Sequence, residues 1–147
     1  MCLRSSRCLP PLALASVWEA GRRIGYGVIK SAQNIIKLLH SHRIDLSTEK
    51  RVQNDIEAVL VQNGIPHFRE YRLSERDIPD FFLEQCGLAI EVKMKGAAKM
   101  AVYRQLERYA AHDVVLSLLL VTNLSMGLPP EIGGKPAQYA SLGRAWL

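Results

Sequence analysis

The feature that most constrains the fold is the run of apolar side chains from Val114 to Val121. Such a nearly continuous run is typical of a β-strand covered on both faces, because a strand with one wet face alternates apolar and polar residues. Sheets that contain such strands are sandwiched between helices. The run is much shorter than the roughly 18 apolar residues that a membrane-spanning helix needs, so we expect no membrane span.

Helical periodicity is found in three segments, in which apolar residues recur every three or four positions. The second segment starts after a serine and a threonine that can cap its first turn. It ends at Asn63-Gly64, a pair that favours the left-handed conformation at a helix end. The predicted helices run from Val28 to His40, from Ser47 or Thr48 to about Gln62, and from Ala97 to Ala111.

Three more strands are predicted between the second and third helices. Phe68 to Leu73 alternates loosely, and the apolar segments Ile78 to Leu83 and Leu88 to Met94 flank a short turn. Gly87 in that turn supplies the backbone angles of a hairpin. The order αβββαβ predicts an α/β protein with a mixed central β-sheet flanked by helices.

The 147 residues are enough for one apolar core. Residues 44–124 are the predicted core, residues 1–43 a basic N-terminal arm and helix, and residues 125–147 an irregular C-terminal tail with Pro129-Pro130 and Gly133-Gly134. The net charge of +5 belongs to the arm, which holds seven basic side chains against one acid. Basicity is therefore weak support for nucleic-acid binding by the core.

Three cysteines without a CxxC pair favour a reducing compartment, so the cytoplasm is the expected location. The first residues combine arginine and serine with a short apolar stretch, which leaves a secretory or organellar leader open. Pro10-Pro11 interrupts that stretch and favours an arm without a targeting role.

Charged side chains occur at three positions of the predicted hairpin. Side chains alternate across a strand, so Glu91 and Lys93 share one face. Asp80 follows Pro79 among apolar residues, where an isolated carboxylate is costly unless a cation meets it. The alternative is that Glu91 and Lys93 form a solvated pair on an exposed strand.

A fourth charge, Glu49, lies seven residues before Ile56, which places the two side chains within about 20° of each other around a helix. This carboxylate is therefore expected on the apolar face of the second helix. It can equally be an acid in the first turn that interacts with the helix dipole.

These residue types suit phosphodiester hydrolysis. Mg²⁺ is usually held by one or two carboxylates, and Asp80 with Glu91 supplies that pair. The metal activates water and neutralises phosphate charge. Lys93 adds a fixed positive group that can orient water or stabilise negative charge in the transition state.

The motif Pro79-Asp80, followed across a hairpin by Glu91-Val92-Lys93, resembles the PD-(D/E)XK nuclease superfamily. The resemblance covers residues 47–122 and implies a restriction-endonuclease-like core. It implies Asp80 and Glu91 as metal ligands, Lys93 as catalytic base or electrostatic stabiliser, and a glutamate of the preceding helix at the metal centre, a place that Glu49 matches.

RecB-like and phage-type exonucleases of this superfamily add a Gln-x-x-x-Tyr pair on the following helix, and Gln105 with Tyr109 fits that pattern. One turn apart, these side chains face the same direction. They can also be ordinary helix surface. Lys95, Lys99, Arg104 and Arg108 are candidate phosphate contacts, although each alone is usually solvated charge.

The leading hypothesis is a hydrolase, a Mg²⁺-dependent (or Mn²⁺-dependent) nuclease acting on DNA. A homodimer or a larger replication or repair partner is expected because the chain is small. The alternative is a non-catalytic nucleic-acid-binding or assembly module that keeps a nuclease-like fold. A purely structural partner-binding domain is a third possibility.

Overall fold

The computed structural model describes residues 31–143. Within them, three helices and one mixed, open sheet of six strands form an α/β fold. The helices are α1 (residues 31–40), α2 (Glu49–Gln62) and α3 (Lys99–Ala110). The strands are β1 (Phe68–Arg69), β2 (Phe81–Leu83), β3 (Leu88–Lys93), β4 (Ser117–Thr122), β5 (Glu131–Ile132) and β6 (Lys135–Ser141).

The strands lie in the order β1-β2-β3-β4-β6-β5. β1, β2 and β3 pair antiparallel, β3, β4 and β6 pair parallel, and β5 returns antiparallel to β6. The connection from β3 to the parallel strand β4 crosses over through α3, as a parallel pair requires. The carboxyl ends of β3, β4 and β6 therefore meet at one edge of the sheet.

Each face of the sheet has its own apolar core. Leu119 and Val121 of β4 pack with α1 and α2, whereas Leu118 and Leu120 pack with α3. All residues of β4 are buried. The prediction of a strand covered on both faces is confirmed from Ser117 onward, whereas Val114, where the predicted strand began, is exposed in the turn before β4.

The caps of α2 are those expected from the sequence. The Thr48 hydroxyl accepts a hydrogen bond from the Arg51 backbone N–H at 3.2 Å. The helix ends at Gln62, and Gly64 adopts a φ of +63°. The start of α1, predicted at Val28, and the arm of residues 1–30 lie outside the described residues.

The first two strands are shorter than predicted. β1 ends at Arg69, because Glu70 has a φ of +50° and leaves the extended conformation. The loop that follows turns at Asp77, whose backbone oxygen accepts hydrogen bonds from Leu73 and Ser74. β2 accordingly starts at Phe81, and Asp80 lies just before it.

The prediction of an irregular tail over residues 125–147 is wrong within the described part. Gly133 and Gly134 form the two-residue turn of the β5–β6 hairpin, with φ values of +56° and +74°. β6 adds a third parallel strand to the sheet, buried through Ala137 and Ala140. Alanine is a poor strand former, so these residues become a strand only where β4 offers an open edge.

None of the helices within residues 31–143 is long and apolar enough to cross a membrane.

Gly64 and Gly87 have similar positive φ values, so the same substitution at both positions tests the packing at the β2–β3 hairpin. A Cβ at Gly87 would lie 2.6 Å from Leu116 Cγ and 2.8 Å from the Val114 backbone oxygen, whereas a Cβ at Gly64 would meet nothing within 4 Å. We expect Gly64→Ala to lower the free energy of unfolding by about 1 kcal/mol, from backbone strain. Gly87→Ala adds steric overlap and should lose about 3 kcal/mol. Urea unfolding measures both, and equal losses would contradict the steric role.

Candidate functional site

Asp80, the residue directly before β2, lies opposite Glu91 of the adjacent antiparallel strand β3. The pairing of Phe81 with Ile90 continues one step outward, which brings Asp80 into register with Glu91. Side chains alternate along β3, so Glu91 lies on the face covered by α3. Glu91 is only 2% exposed, and Asp80 is half-buried at the start of β2. The structure therefore brings the two predicted carboxylates together.

Three side chains hold the Glu91 carboxylate. Its Oε1 accepts hydrogen bonds from Lys93 Nζ at 2.7 Å and from Gln105 Nε2 at 2.9 Å. The Tyr109 hydroxyl lies 3.0 Å from Oε2 and 3.1 Å from the backbone oxygen of Ile78. Tyr109 is fully buried. The Gln-x-x-x-Tyr pair is thus part of the site and not helix surface.

The Asp80 carboxylate is held by different groups. Its Oδ2 accepts a hydrogen bond from the Val92 backbone N–H at 2.7 Å, and its Oδ1 accepts one from Gln53 Nε2 at 2.9 Å. The sequence pattern did not predict Gln53 as a site residue. The signal that would have found it is its position one turn after Glu49, on the same side of α2.

Burial is the largest influence on the pKa values of Asp80, Glu91 and Lys93. Burial, with the nearby Glu91 charge, raises the pKa of Asp80 to about 7. Burial also raises the pKa of Glu91, although the Lys93 ammonium opposes this shift. Burial disfavours the ammonium form of Lys93, yet the surrounding carboxylates outweigh it and raise the pKa of Lys93.

Glu49 lies half-buried in the first turn of α2, at the border of this site. Its charge helps to raise the pKa of both Asp80 and Lys93, so its carboxylate lies within electrostatic range of them. The three predicted acids therefore all act electrostatically on Lys93, which forms an ion pair with Glu91.

The donor set fits a hard divalent cation. The buried Glu91 and the half-buried Asp80 place two carboxylates close together, and one ammonium group offsets only part of their charge. A Mg²⁺ ion bound by one or two carboxylates would balance this charge. Within residues 31–143, no three acidic, histidine or cysteine side chains are close enough to form a metal cluster by themselves. Asp80 and Glu91 are thus the candidate ligands, with Glu49 at their border.

The predicted phosphate contacts separate into two groups. Lys95, Lys99 and Arg104 are exposed, in the loop after β3 and on α3. Arg108 instead forms an ion pair with Asp77, with Nε 2.9 Å from Oδ1. The structure therefore does not place Arg108 among the unpaired basic side chains.

Asp77 anchors the loop that leads to Asp80. Its carboxylate contacts Arg108 and lies 2.9 Å from His112 Nε2 and 3.1 Å from the Ser74 hydroxyl. Burial opposes ionisation of Asp77, but these hydrogen bonds outweigh it and lower its pKa. The loop is thereby tied to the C-terminal end of α3, next to Tyr109.

No protein-family model, curated protein or solved structure matches this chain. The fold is established as α/β with a mixed sheet, and the restriction-endonuclease-like assignment stays a prediction. What the site does is inferred from its own geometry.

The pKa of Asp80 is raised and that of Asp77 is lowered, so the two aspartates should affect the pH dependence of stability in opposite directions. Between about pH 4 and pH 7 the folded chain keeps a proton on Asp80 that the unfolded chain has lost. Stability therefore falls as the pH rises through this range. At pH 8 without divalent metal, Asp80→Asn should raise the free energy of unfolding by about 1–3 kcal/mol.

Asp77→Asn should act in the opposite direction. The lowered pKa of Asp77 means that its stabilising contribution is present above its ordinary pKa and is lost as the pH falls through the folded value. At pH 8 we expect a loss of about 2 kcal/mol, from the broken bonds to Arg108 and His112. Urea unfolding at several pH values measures both variants, and destabilisation by Asp80→Asn at pH 8 would refute the buried-charge account.

Proposed function

We propose that this chain is a metal-dependent nuclease that hydrolyses phosphodiester bonds in DNA. The observation that carries the proposal is that the half-buried Asp80, directly before β2, lies opposite the buried Glu91 of β3, with the Lys93 ammonium 2.7 Å from Glu91. Groups whose pKa values are strongly shifted by burial and neighbouring charge cluster at functional sites. The pattern Pro-Asp, then Glu-x-Lys, adds the resemblance to the PD-(D/E)XK superfamily.

Asp80 and Glu91 are the residues that would hold the metal, with Glu49 adding negative charge beside them. A bound Mg²⁺ or Mn²⁺ would neutralise phosphate charge and lower the pKa of water, so that the water can lose a proton and attack. Gln105 and Tyr109 orient Glu91, and Gln53 orients Asp80. The ligands are thus positioned by hydrogen bonds before substrate arrives.

Lys93 is assigned the role of electrostatic stabiliser. Its raised pKa keeps the amine protonated at neutral pH, so it is poorly suited to take a proton from water. A protonated amine beside the carboxylates is suited to stabilise negative charge on the phosphate in the transition state.

The exposed side chains of Lys95, Lys99 and Arg104 follow β3 and are proposed as phosphate contacts. Each is a point charge that positions the backbone of a nucleic acid without reading its sequence. A homodimer or a larger replication or repair partner would extend this contact surface. That assembly is part of the proposal.

A second candidate function is a nucleic-acid-binding or assembly module without catalysis. The observation that favours it is that Glu91 already accepts hydrogen bonds from Lys93, Gln105 and Tyr109, so its carboxylate is satisfied without a metal. Such a module would retain DNA in EDTA, with an affinity that falls steeply with salt. It would give no metal-dependent product.

Cleavage of supercoiled, linear and branched DNA in Mg²⁺ tests the nuclease. We expect Asp80→Ala and Lys93→Ala each to lower the rate at least about 100-fold, because each removes a group that acts on the phosphate or its metal. The matched controls are Glu84→Ala and Lys37→Ala, which remove an exposed acid of the hairpin turn and an exposed lysine of α1. Parental activity in both site variants would refute the proposal.

Metal binding has its own readout in thermal unfolding. Mg²⁺ that binds the folded chain raises its Tm, since it adds binding free energy to the folded state. We expect this rise at pH 8 and a smaller one at pH 6, where protons compete for Asp80, whose pKa is about 7. Asp80→Asn should abolish the rise and Glu84→Ala should keep it. A Tm that is insensitive to Mg²⁺ in the parent chain would count against a metal site.

A further inference from the structure

A cavity of about 690 Å³ opens beside the carboxyl ends of β4 and β6. Its volume falls within the range of about 300–1,000 Å³ typical of ligand sites. The cavity lies outside the carboxylate site, and none of the groups assigned to the proposed reaction lines it. Its walls come from the loop after β4, the end of β6 and Leu46.

The strand register connects this cavity to the carboxylate site. Lys93 pairs with Thr122, and Thr122 pairs with Ser141, which lines the cavity. Neighbouring strands are about 4.8 Å apart, so the Cα atoms of Lys93 and Ser141 are separated by about 10 Å. A stacked DNA strand advances about 3.4 Å per nucleotide, so this distance spans at most about three nucleotides.

One hydrogen bond joins the rims of the two sites. The Lys95 backbone N–H donates to Asn123 Oδ1 at 2.7 Å, which ties the loop after β3 to the loop that lines the cavity. The exposed Lys95, one of the proposed phosphate contacts, therefore lies beside the rim of the cavity.

The chemistry of the walls suits a base and not a phosphate. None of the described residues that line the cavity is charged. Leu46, Met126 and Leu142 supply apolar surface, and Tyr139 supplies an aromatic ring that is 47% exposed. Because Asn123 Oδ1 already accepts from Lys95, the amide NH₂ of Asn123 is the donor it can offer to a base edge.

We infer that this cavity binds an unpaired base of the DNA strand that is cut, near the scissile phosphate. The inference rests on the proposed nuclease function and names its substrate class as single-stranded or flapped DNA. A base that is paired and stacked in a duplex cannot enter a cavity, whereas an unpaired base can stack on Tyr139.

The test compares one single-stranded oligonucleotide, its blunt duplex, and the same single strand with one abasic position placed in turn at each nucleotide near the cut. Cleavage in Mg²⁺ gives kcat/KM, and fluorescence anisotropy in EDTA gives Kd. The parent should prefer the single strand. On the single strand, Tyr139→Ala should lower kcat/KM about 10-fold and raise Kd about 10-fold. On the duplex it should change neither quantity much.

Two controls separate stacking from general damage. Tyr139→Phe keeps the ring and should restore the parental values, and Val61→Ala removes a 65% exposed side chain on α2 and should have no effect. An abasic position at the nucleotide that enters the cavity should weaken the parent about as much as Tyr139→Ala does. In the Tyr139→Ala variant, the same abasic position should cause no further loss of kcat/KM or affinity, because the stacking contact is already absent.

The outcomes distinguish this inference from the nuclease proposal. One outcome is that no substrate is cut, while the Tyr139→Ala variant binds the intact strand, and the parent binds the abasic strand, about 10-fold more weakly. The nuclease proposal is then refuted and the base site is supported. If cutting depends on Asp80 while neither Tyr139→Ala nor any abasic position changes kcat/KM or Kd, the base site is overturned. The abasic strand tests the parent chain itself, so the result does not depend on the folding of a variant.

Discussion

The removal of two neighbouring carboxylates from water is the constraint on which the rest of the site depends. Asp80, directly before β2, lies opposite Glu91 of β3, and the Glu91 charge disfavours ionisation of Asp80. Lys93, Gln53 and the Gln105–Tyr109 pair reduce that cost with hydrogen bonds and one opposite charge. The neighbouring side chains are thus explained by a single electrostatic requirement.

The two helical layers contribute to this site from opposite faces of the sheet. α2 packs on one face through an apolar stripe and presents Glu49 and Gln53 at its border. α3 packs on the other face and brings Gln105 and Tyr109 to Glu91. The loop before β2 is tied to α3 through Asp77, so Asp80 is held from both layers. The packing of the two helices on the sheet therefore fixes the positions of the side chains that hold the site.

Much of the fold was predictable because local chemistry dictates it. Capping by Thr48, the left-handed Gly64 and the apolar run of β4 each act within a few residues. β6 was not predictable in the same way, because alanine carries little strand signal and the strand is stabilised by pairing with β4. Within the site, the motif identified Asp80, Glu91 and Lys93, but not Gln53. The ion pair of Arg108 was also missed, because its partner Asp77 is 31 residues away in sequence.

The sequence by itself determined the alternation that aligns Glu91 with Lys93 and the helical spacing that aligns Gln105 with Tyr109, because both follow from backbone geometry within one element. Only the tertiary structure decided which of these groups meet, how deeply they are buried and which charges remain unpaired. Burial and hydrogen bonding between distant elements set the pKa values, and no local pattern encodes a contact across the sheet. The cavity beside β6 belongs to the same category, because its walls come from segments that meet only after the sheet has formed.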